Sequence, residues 1–515
     1  MKKIVANHTN IDIYDYEPGE CEALEYFFSI RDIIRHTRNP FGLYYDDNSR
    51  MLKIPRGVDI PYIQDLFKSQ VIINKRHDPI GKVPGIMLKS MPRDNKQKET
   101  LKFMLGLPPY QYTASKSQLC VNLPTGSGKT YCSIYLIARL RLRSMIITSS
   151  IEWLDQWKKS IIQFTDIKYN EIFTISGVGS IYGLLNKPDI SQYKIILCSI
   201  QTLKSYGEKK GWDKVSELFR YLKIGVKFYD EAHLYFESMC MIDFFTDTYK
   251  TYYLSATPAR SNEEEDRIYK SYFKNIPKID LFDENVDPHT KYLSIRYNSH
   301  PTIEELSYCK NKYGLDRIKY ISEYITHKKE FMDLIEVVMN IVLKLKGKTL
   351  IYIGVNESIN VVKGYLEAIY PQLVGDIGVY NSTVPKEIKK QQLEKRIILS
   401  TTKSCGAAMD IKGLKCTVVL AEPFKSIPLA IQTFGRTRDK DTLYIECVDE
   451  GFKQIYKYYL WKKSTYKKYA TEMKDIRFTH DDLELTANNV ALKRIGEPTL
   501  PLFKVIPKPL LFKRI

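Results

Sequence analysis

Three stretches of the 515-residue chain combine residue types and spacings suited to work on phosphate: LPTGSGKT at 123–130, DEAH at 230–233 and QTFGRTR at 432–438. In the first, the apolar run QLCVNL ends at Leu123 and the helix-patterned KTYCSIYLIARL starts at Lys129. The loop between them, with Thr125, Gly126, Ser127 and Gly128, can turn its backbone N–H groups round an anion, and the helix N-terminus adds the positive end of its dipole. Lys129 then reaches the β- and γ-phosphates of ATP, and Thr130 supplies a hydroxyl to Mg2+. The strict form of such a loop has glycine where Leu123 stands. In the second stretch Asp230 closes the run KFY, a strand end from which it can hold the Mg2+ through water, while Glu231 polarises an attacking water. In the third, Arg436 and Arg438 offer planar guanidinium forks that match phosphate oxygens in pairs. Upstream, the Gln111 amide can pair with an adenine edge and Tyr110 can stack.

Chemistry of this kind sits at the carboxyl ends of strands in an open parallel sheet, so the chain must supply one. Short apolar runs separated by helical segments recur as QLCVNL, RSMIIT, YKIILCS, GVKFYD and TYYLSAT, then as KTLIYIG (348–354), KRIILST (395–401), CTVVLAE (416–422) and DTLYIEC (441–447). These read as buried parallel strands, and the fold class is α/β with two domains in tandem. The amphipathic KKEFMDLIEVVMNIVLKL at 328–345 is expected to be a helix opening the second. Expected boundaries are 1–97 for a small N-terminal α+β domain that binds DNA, 98–285 and 286–450 for the two α/β domains, and 451–515 for a helical and extended C-terminal extension. The basic MPRDNKQKET at 91–100 is read as a linker.

A formal net charge of +18, with 44% hydrophobic and 27% charged residues, describes a globular chain with a polyanionic partner. Nine cysteines stand singly and eight histidines form no H-E-x-x-H cluster, so no metal is expected beyond one carried in with the nucleotide. The start MKKIVANHTNIDIYDYE has no apolar signal core, and no uncharged apolar run approaches the ~20 residues that span a bilayer. The expected compartment is the cytoplasm or nucleoplasm.

Taken in order, PPYQ, LPTGSGKT, ITSSIEWLDQW, SIQTL, DEAH, SATPAR, STTKSCGAAMDIKGL and QTFGRTR resemble the motif set of superfamily 2 helicases over roughly residues 107–440. That resemblance implies two tandem RecA-like domains of the P-loop NTPase type that close over one ATP. It implies an arginine finger, Arg436 or Arg438, in the motif that Gln432 opens. The usual Q-x-x-G-R-x-x-R has its second arginine where Asp439 stands, so Arg436, beside Gly435, is the expected finger. It also implies that His233, Ser255 and Thr257 couple ATP state to closure, with Gly406 and Asp410 facing both strand and nucleotide. Thr148, Ser149, Gln201, Thr202, Thr401 and Thr402 are implied to touch a nucleic acid backbone, contacts that position a strand without reading its sequence.

The segment EYFFSIRDIIRHTRNPFGLYYDDNSRMLKIPRG is similar to the front domain of phage UvsW-type helicases, with RecG and XPB as more distant relatives. The implied activity is ATP-driven unwinding, annealing and branch migration of branched, forked or single-stranded DNA by a monomer, in the bacterial host cytoplasm if the chain is phage-encoded. An RNA helicase or transcript-release ATPase, and a translocase subunit of a defence or restriction complex, stay open because a motor that grips backbone needs few groups to choose the sugar.

Residues 452–478 carry eight Lys/Arg, two acids and eight aromatics. They read as one helix whose apolar face, including Met473 and Ile476, docks on the second domain. Its other face offers Trp461, Tyr458 or Tyr469 to bases and Lys462, Lys463, Lys467 and Lys468 to phosphates.

Overall fold

The computed structural model describes residues 3–478 except 18, 33–36, 47–48, 74–78, 124–126, 188, 256–262, 282–289, 313, 406–410 and 437–440. The chain divides into two compact units, Met1–Glu284 and Asn285–Ile515.

The first unit begins with a five-stranded sheet in the order β5-β6-β2-β1-β7, made of β1 (Ile4–Ala6), β2 (Asn10–Tyr14), β5 (Tyr44–Asp46), β6 (Met51–Pro55) and β7 (Val71–Ile73). A hairpin of β3 (Ser29–Asp32) and β4 (Thr37–Pro40) stands apart from it. A seven-stranded sheet follows, in the order β10-β11-β9-β12-β13-β8-β14: β8 (Gln118–Asn122), β9 (Ser144–Thr148), β10 (Ile172–Ile175), β11 (Ile195–Ser199), β12 (Val226–Tyr229), β13 (Lys250–Ser255) and β14 (Lys278–Asp280). All its pairings are parallel. Alternate residues enter opposite cores: Cys120, Ile147, Cys198, Tyr229 and Tyr253 on one face, and Val121, Ile146, Leu197, Phe228 and Tyr252 on the other. Strands buried on both faces must be apolar throughout, which is why they read as unbroken hydrophobic runs.

The small N-terminal sheet shares the first of those cores, its Ile11, Ile13, Leu52 and Ile54 joining Phe236, Met239 and Tyr272. Contact is close enough that a Cβ on Gly57 would lie 1.9 Å from the Tyr272 carbonyl oxygen. The expected linker at 91–100 is corrected. Asp94 caps a helix, Asn95–Leu105, accepting the Gln97 N–H at 2.9 Å, and Leu101, Phe103 and Met104 bury its apolar side.

At the heart of the shared core lies Asp243, fully buried. It pairs with Lys227 at 2.5 Å and accepts the hydroxyls of Tyr229 at 2.7 Å, Tyr253 at 2.6 Å and Tyr272. Thr9 of the N-terminal part donates to its backbone carbonyl at 2.6 Å.

In the second unit the hairpin β16 (Lys310–Asn311) and β17 (Gly314–Leu315) accompanies another seven-stranded parallel sheet, in the order β19-β20-β18-β21-β22-β15-β23. Its strands are β15 (Thr290–Tyr297), β18 (Lys348–Ile353), β19 (Ile377–Tyr380), β20 (Ile397–Ser400), β21 (Leu414–Ala421), β22 (Thr442–Asp449) and β23 (Ala470–Arg477). The amphipathic segment forms the helix Lys329–Val342, but β15 precedes it, so the helix does not open the unit. The single helix expected over 452–478 is also corrected: it ends at Tyr469, and 470–477 form β23, the edge strand paired parallel to β15. The unpaired flank of β15 supplies the ladder that this segment completes.

Because Asp243 is the sole carboxylate on the buried Lys227 ammonium among the described ion pairs, Asp243→Ala is expected to destabilise the protein by about 3–5 kcal/mol. Urea unfolding of the purified variant measures this; a loss within ~0.5 kcal/mol of zero would show that the network contributes nothing.

Candidate nucleotide and nucleic-acid site

The order of the first sheet places β13 between β12 and β8, so three adjacent strand ends bring distant segments together. After β8 comes the glycine loop, of which Thr125 and Gly126 lie outside the described residues. Gly128 stands at φ +91 as the cap of the helix Lys129–Leu140, and a Cβ there would lie 2.2 Å from Gln97 Nε2. Glycine is required at this position by backbone conformation and by space. Gln97 is buried and accepts the Arg93 N–H at 2.7 Å, so the wall beside Gly128 is fixed.

The Lys129 side chain is 10% exposed, donates to the Leu123 carbonyl at 3.4 Å and pairs with Glu231 Oε1 at 3.3 Å. Glu231 follows β12 at φ +52, in the left-handed backbone region that is costly to a residue with a Cβ. Its other oxygen lies 3.5 Å from His233 Nδ1, which is 2.9 Å from Ser255 Oγ at the end of β13. Lys129, Glu231, His233 and Ser255 thus form one chain of polar contacts across the strand ends. Thr257, expected in the same relay, lies outside the described residues.

Asp230 keeps part of its surface open and accepts the Trp157 indole N–H at 2.7 Å. Loss of hydration pushes its carboxyl up to about 6, and the Glu231 charge adds to that rise. The Trp157 bond and the Lys129 ammonium pull the other way. Trp157 and Gln97 are site residues that the sequence reading did not assign. The first was visible within EWLDQW at helical spacing, but only the packing of its helix, Glu152–Phe164, turns the ring toward Asp230.

These residues fit a magnesium nucleotide: a glycine cradle at a helix N-terminus, a lysine in need of an anion, and carboxylates at the next strand end but one. Gln111 is exposed in the turn Gln111–Thr113, while Tyr110 packs edge-on against Phe103.

The residues expected to touch nucleic acid are bonded within the fold. Thr148 donates to the Ser150 carbonyl at 2.7 Å, and Ser149 is buried beside it. Ser199 caps the helix Ile200–Lys210 and meets the Thr202 hydroxyl at 2.8 Å; Gln201 is partly exposed. In the second unit Thr401 donates to Ser404 at 3.0 Å, and Thr402 gives its N–H and hydroxyl to Glu422, whose carboxyl burial raises. Gln432 and Arg436, at and just past the end of the helix Ile427–Phe434, are both buried, Arg436 at 5% exposure. Gly406, Asp410 and Arg438 lie outside the described residues.

Lys462 is corrected as a phosphate contact. It is 2% exposed, paired with Glu446, which also accepts the Tyr292 hydroxyl at 2.6 Å, and it lies over the Phe424 ring. Lys463 is partly exposed and paired with Asp475 of β23. Lys467, Lys468 and Trp461 are the exposed members of that face, with Lys425 over the Trp461 ring at 4.7 Å. Among the described residues, no helix is long and apolar enough to cross a membrane.

Comparison with known proteins bears on this geometry. Residues 90–260 match the family model described as "Type III restriction enzyme, res subunit". The chain is 25% identical over 340 residues to transcript termination protein A18 of Yaba monkey tumor virus (strain VR587), a match over 61% of this chain and 63% of the viral protein. A 116-residue stretch, 22% of this chain and 19% of the relative, is 30% identical to the general transcription and DNA repair factor IIH helicase/translocase subunit XPB of Enterocytozoon bieneusi (strain H348). The chain thus spans less than two thirds of the length of the curated relatives it matches. Among solved structures, S. cerevisiae Dbp5 bound to RNA and ADP BeF3 superposes with a TM-score of 0.51 at 16% identity, covering 78% of this chain and 93% of that one. T4 UvsW aligns over 92% of this chain and 99% of its own with a TM-score of 0.35 at 15% identity. The two sheets are tandem RecA-like domains, and residues 90–260 are similar to the matched helicase-family domain.

Since the indole N–H holds the Asp230 carboxylate in place, Trp157→Phe is expected to raise the Mg2+ concentration for half-maximal ATP hydrolysis by roughly 10-fold or more. A Mg2+ titration of steady-state ATPase rate checks this. An unchanged half-point would separate Trp157 from metal binding.

Proposed function

We propose that this protein is an ATP- and Mg2+-driven nucleic-acid motor that moves on DNA and remodels forked or branched substrates. The observation that carries the ATPase part of this reading is the Lys129–Glu231–His233–Ser255 chain beside Asp230, at the ends of three adjacent strands. In this reading Gly128, Ser127 and the N–H groups opening the helix Lys129–Leu140 hold the phosphates, with Lys129 as the fixed positive charge. Thr130 and Asp230 hold the Mg2+, which when bound neutralises charge developing on the phosphates. Glu231 takes the proton of the attacking water. His233 and Ser255 carry the state of that carboxylate to β13. Arg436 is assigned the arginine role. The DNA part is supported by the net charge of +18 and by the stretch similar to the XPB subunit, named for DNA repair.

A second reading has its own support. The two viral relatives, at 25% identity over 340 and 342 residues, are named transcript termination proteins, which favours the same engine acting to release a transcript.

Steady-state ATPase rates on single-stranded, duplex, forked and four-way DNA and on matched RNA separate these readings. The branched-DNA proposal expects the largest stimulation from forks and junctions, and fails if RNA alone stimulates. Glu231→Gln is expected to lower the stimulated rate by ~10²–10⁴ and Arg436→Ala by ~10³ or more. A Glu231→Gln variant that hydrolysed ATP at the unaltered rate would remove this site as the seat of catalysis.

A further inference from the structure

A cleft of about 370 Å³ opens where the N-terminal sheet meets the first RecA-like domain. Its lining includes Asn7, His8 and Arg56 from the N-terminal part, and Lys116, Gln118 and Asn275 from the RecA-like domain. Gln118 is the first residue of β8, whereas the glycine loop follows its last, Asn122. The cleft therefore lies at the edge of the sheet opposite the nucleotide site, roughly 15 Å away along the strand.

Two features make this a built site. The guanidinium of Arg56 forms no hydrogen bond or ion pair among the described residues, and burial without a compensating carboxylate pulls its pKa down. Among the described residues, no acidic side chain lines the cleft. Carboxylates on the adjoining segments are engaged: Asp247 with His8 at 2.9 Å, and Asp59 with Lys274 and, at 2.6 Å, Asn275. The backbone is also held on both sides. Arg56 donates its N–H to Thr9, whose hydroxyl is tied to the Asp243 carbonyl, while Gly57 presses on Tyr272. Opposite, the buried Lys250 ammonium donates to the carbonyls of Thr113 at 3.0 Å, Ala114 at 3.1 Å and Lys116 at 2.5 Å, which fixes the loop that carries the exposed Lys116.

A cation kept half-buried on a rigid frame with no internal partner is matched to an external anion. We propose that this cleft binds a phosphate group through Arg56 and Lys116, and that the source is the backbone of a nucleic acid engaged at the junction of the two domains. A guanidinium and an ammonium lining one cleft suit the oxygens of a phosphate.

The test uses the full-length chain without ATP, so it does not depend on the proposed motor activity. Anisotropy of labelled forked DNA and of matched RNA, titrated across salt, is compared between wild type and Arg56→Gln/Lys116→Gln. Thermal shift with inorganic phosphate is run in parallel. A backbone phosphate predicts that the variant loses roughly 10-fold in affinity and that its log K against log[salt] slope flattens by about one. Unchanged nucleic-acid binding with lost protection by inorganic phosphate would keep the anion site and overturn the nucleic-acid source. No change in either measurement would overturn the site. Folding of the variant is checked by its melting temperature, expected at or above that of the wild type because an uncompensated charge is removed. Basal ATPase is expected to stay as it was, and its absence from the wild type would count against the motor reading alone.

Discussion

A nearly buried ammonium needs an anion, and the first RecA-like domain is organised round that need at Lys129. With its side chain 10% exposed and Glu231 at 3.3 Å, the pair gains about 5 kcal/mol of Coulomb attraction at an effective dielectric near 20, against the cost of drying both groups. A phosphate dianion carries more charge than one carboxylate and receives backbone N–H groups as well, so under the proposed function it is the stronger partner. Glu231 would then leave Lys129 when nucleotide enters.

Parallel strand order explains why these groups can meet at all. β8, β12 and β13 are far apart in the chain and adjacent in the sheet, and their carboxyl ends point the same way. Side chains at the last strand positions sit on backbone held between both cores, and the Leu123 N–H donates to the Ser255 carbonyl at 3.0 Å, tying those two strand ends together. The polar contacts from Lys129 to Ser255 follow from that register.

How much was legible in the residues divides along the same line. The glycine loop, the acidic tetrapeptide and the central strands were readable because each is a local pattern: a turn chemistry, an apolar run, a charge at a run's end. Trp157, Gln97 and the pairing of Lys462 with Glu446 were not, since each depends on which helix packs on which strand. The stretch after Tyr469 misled because ATEMKDIR has no clean period of two. It becomes a strand by completing the flank of β15, a tertiary cause that overrides a weak local preference. Motif order implies a backbone-contacting role for hydroxyls such as Thr148 and Thr402, and their bonds to the Ser150 carbonyl and to Glu422 are set by packing that no local pattern shows.

The same accounting separates cations that build the fold from those left to act. Lys227, Lys250, Arg143 and Lys462 are buried, and each is matched to carboxylate or carbonyl oxygens: three carbonyls for Arg143, three for Lys250, one carboxylate each for Lys227 and Lys462. Their charge goes into cohesion, and replacing any of them opens an unsatisfied oxygen. Arg56 differs in kind. It sits on backbone as tightly fixed as theirs, yet its charge has no internal counterpart among the described residues, so the fold bears its desolvation without return. A sequence selected for stability alone would place a neutral side chain there. Keeping a guanidinium at the seam between the N-terminal sheet and the RecA-like domain makes sense when something outside the chain supplies the negative charge, and a formal excess of 18 positive charges sets the sign of that partner.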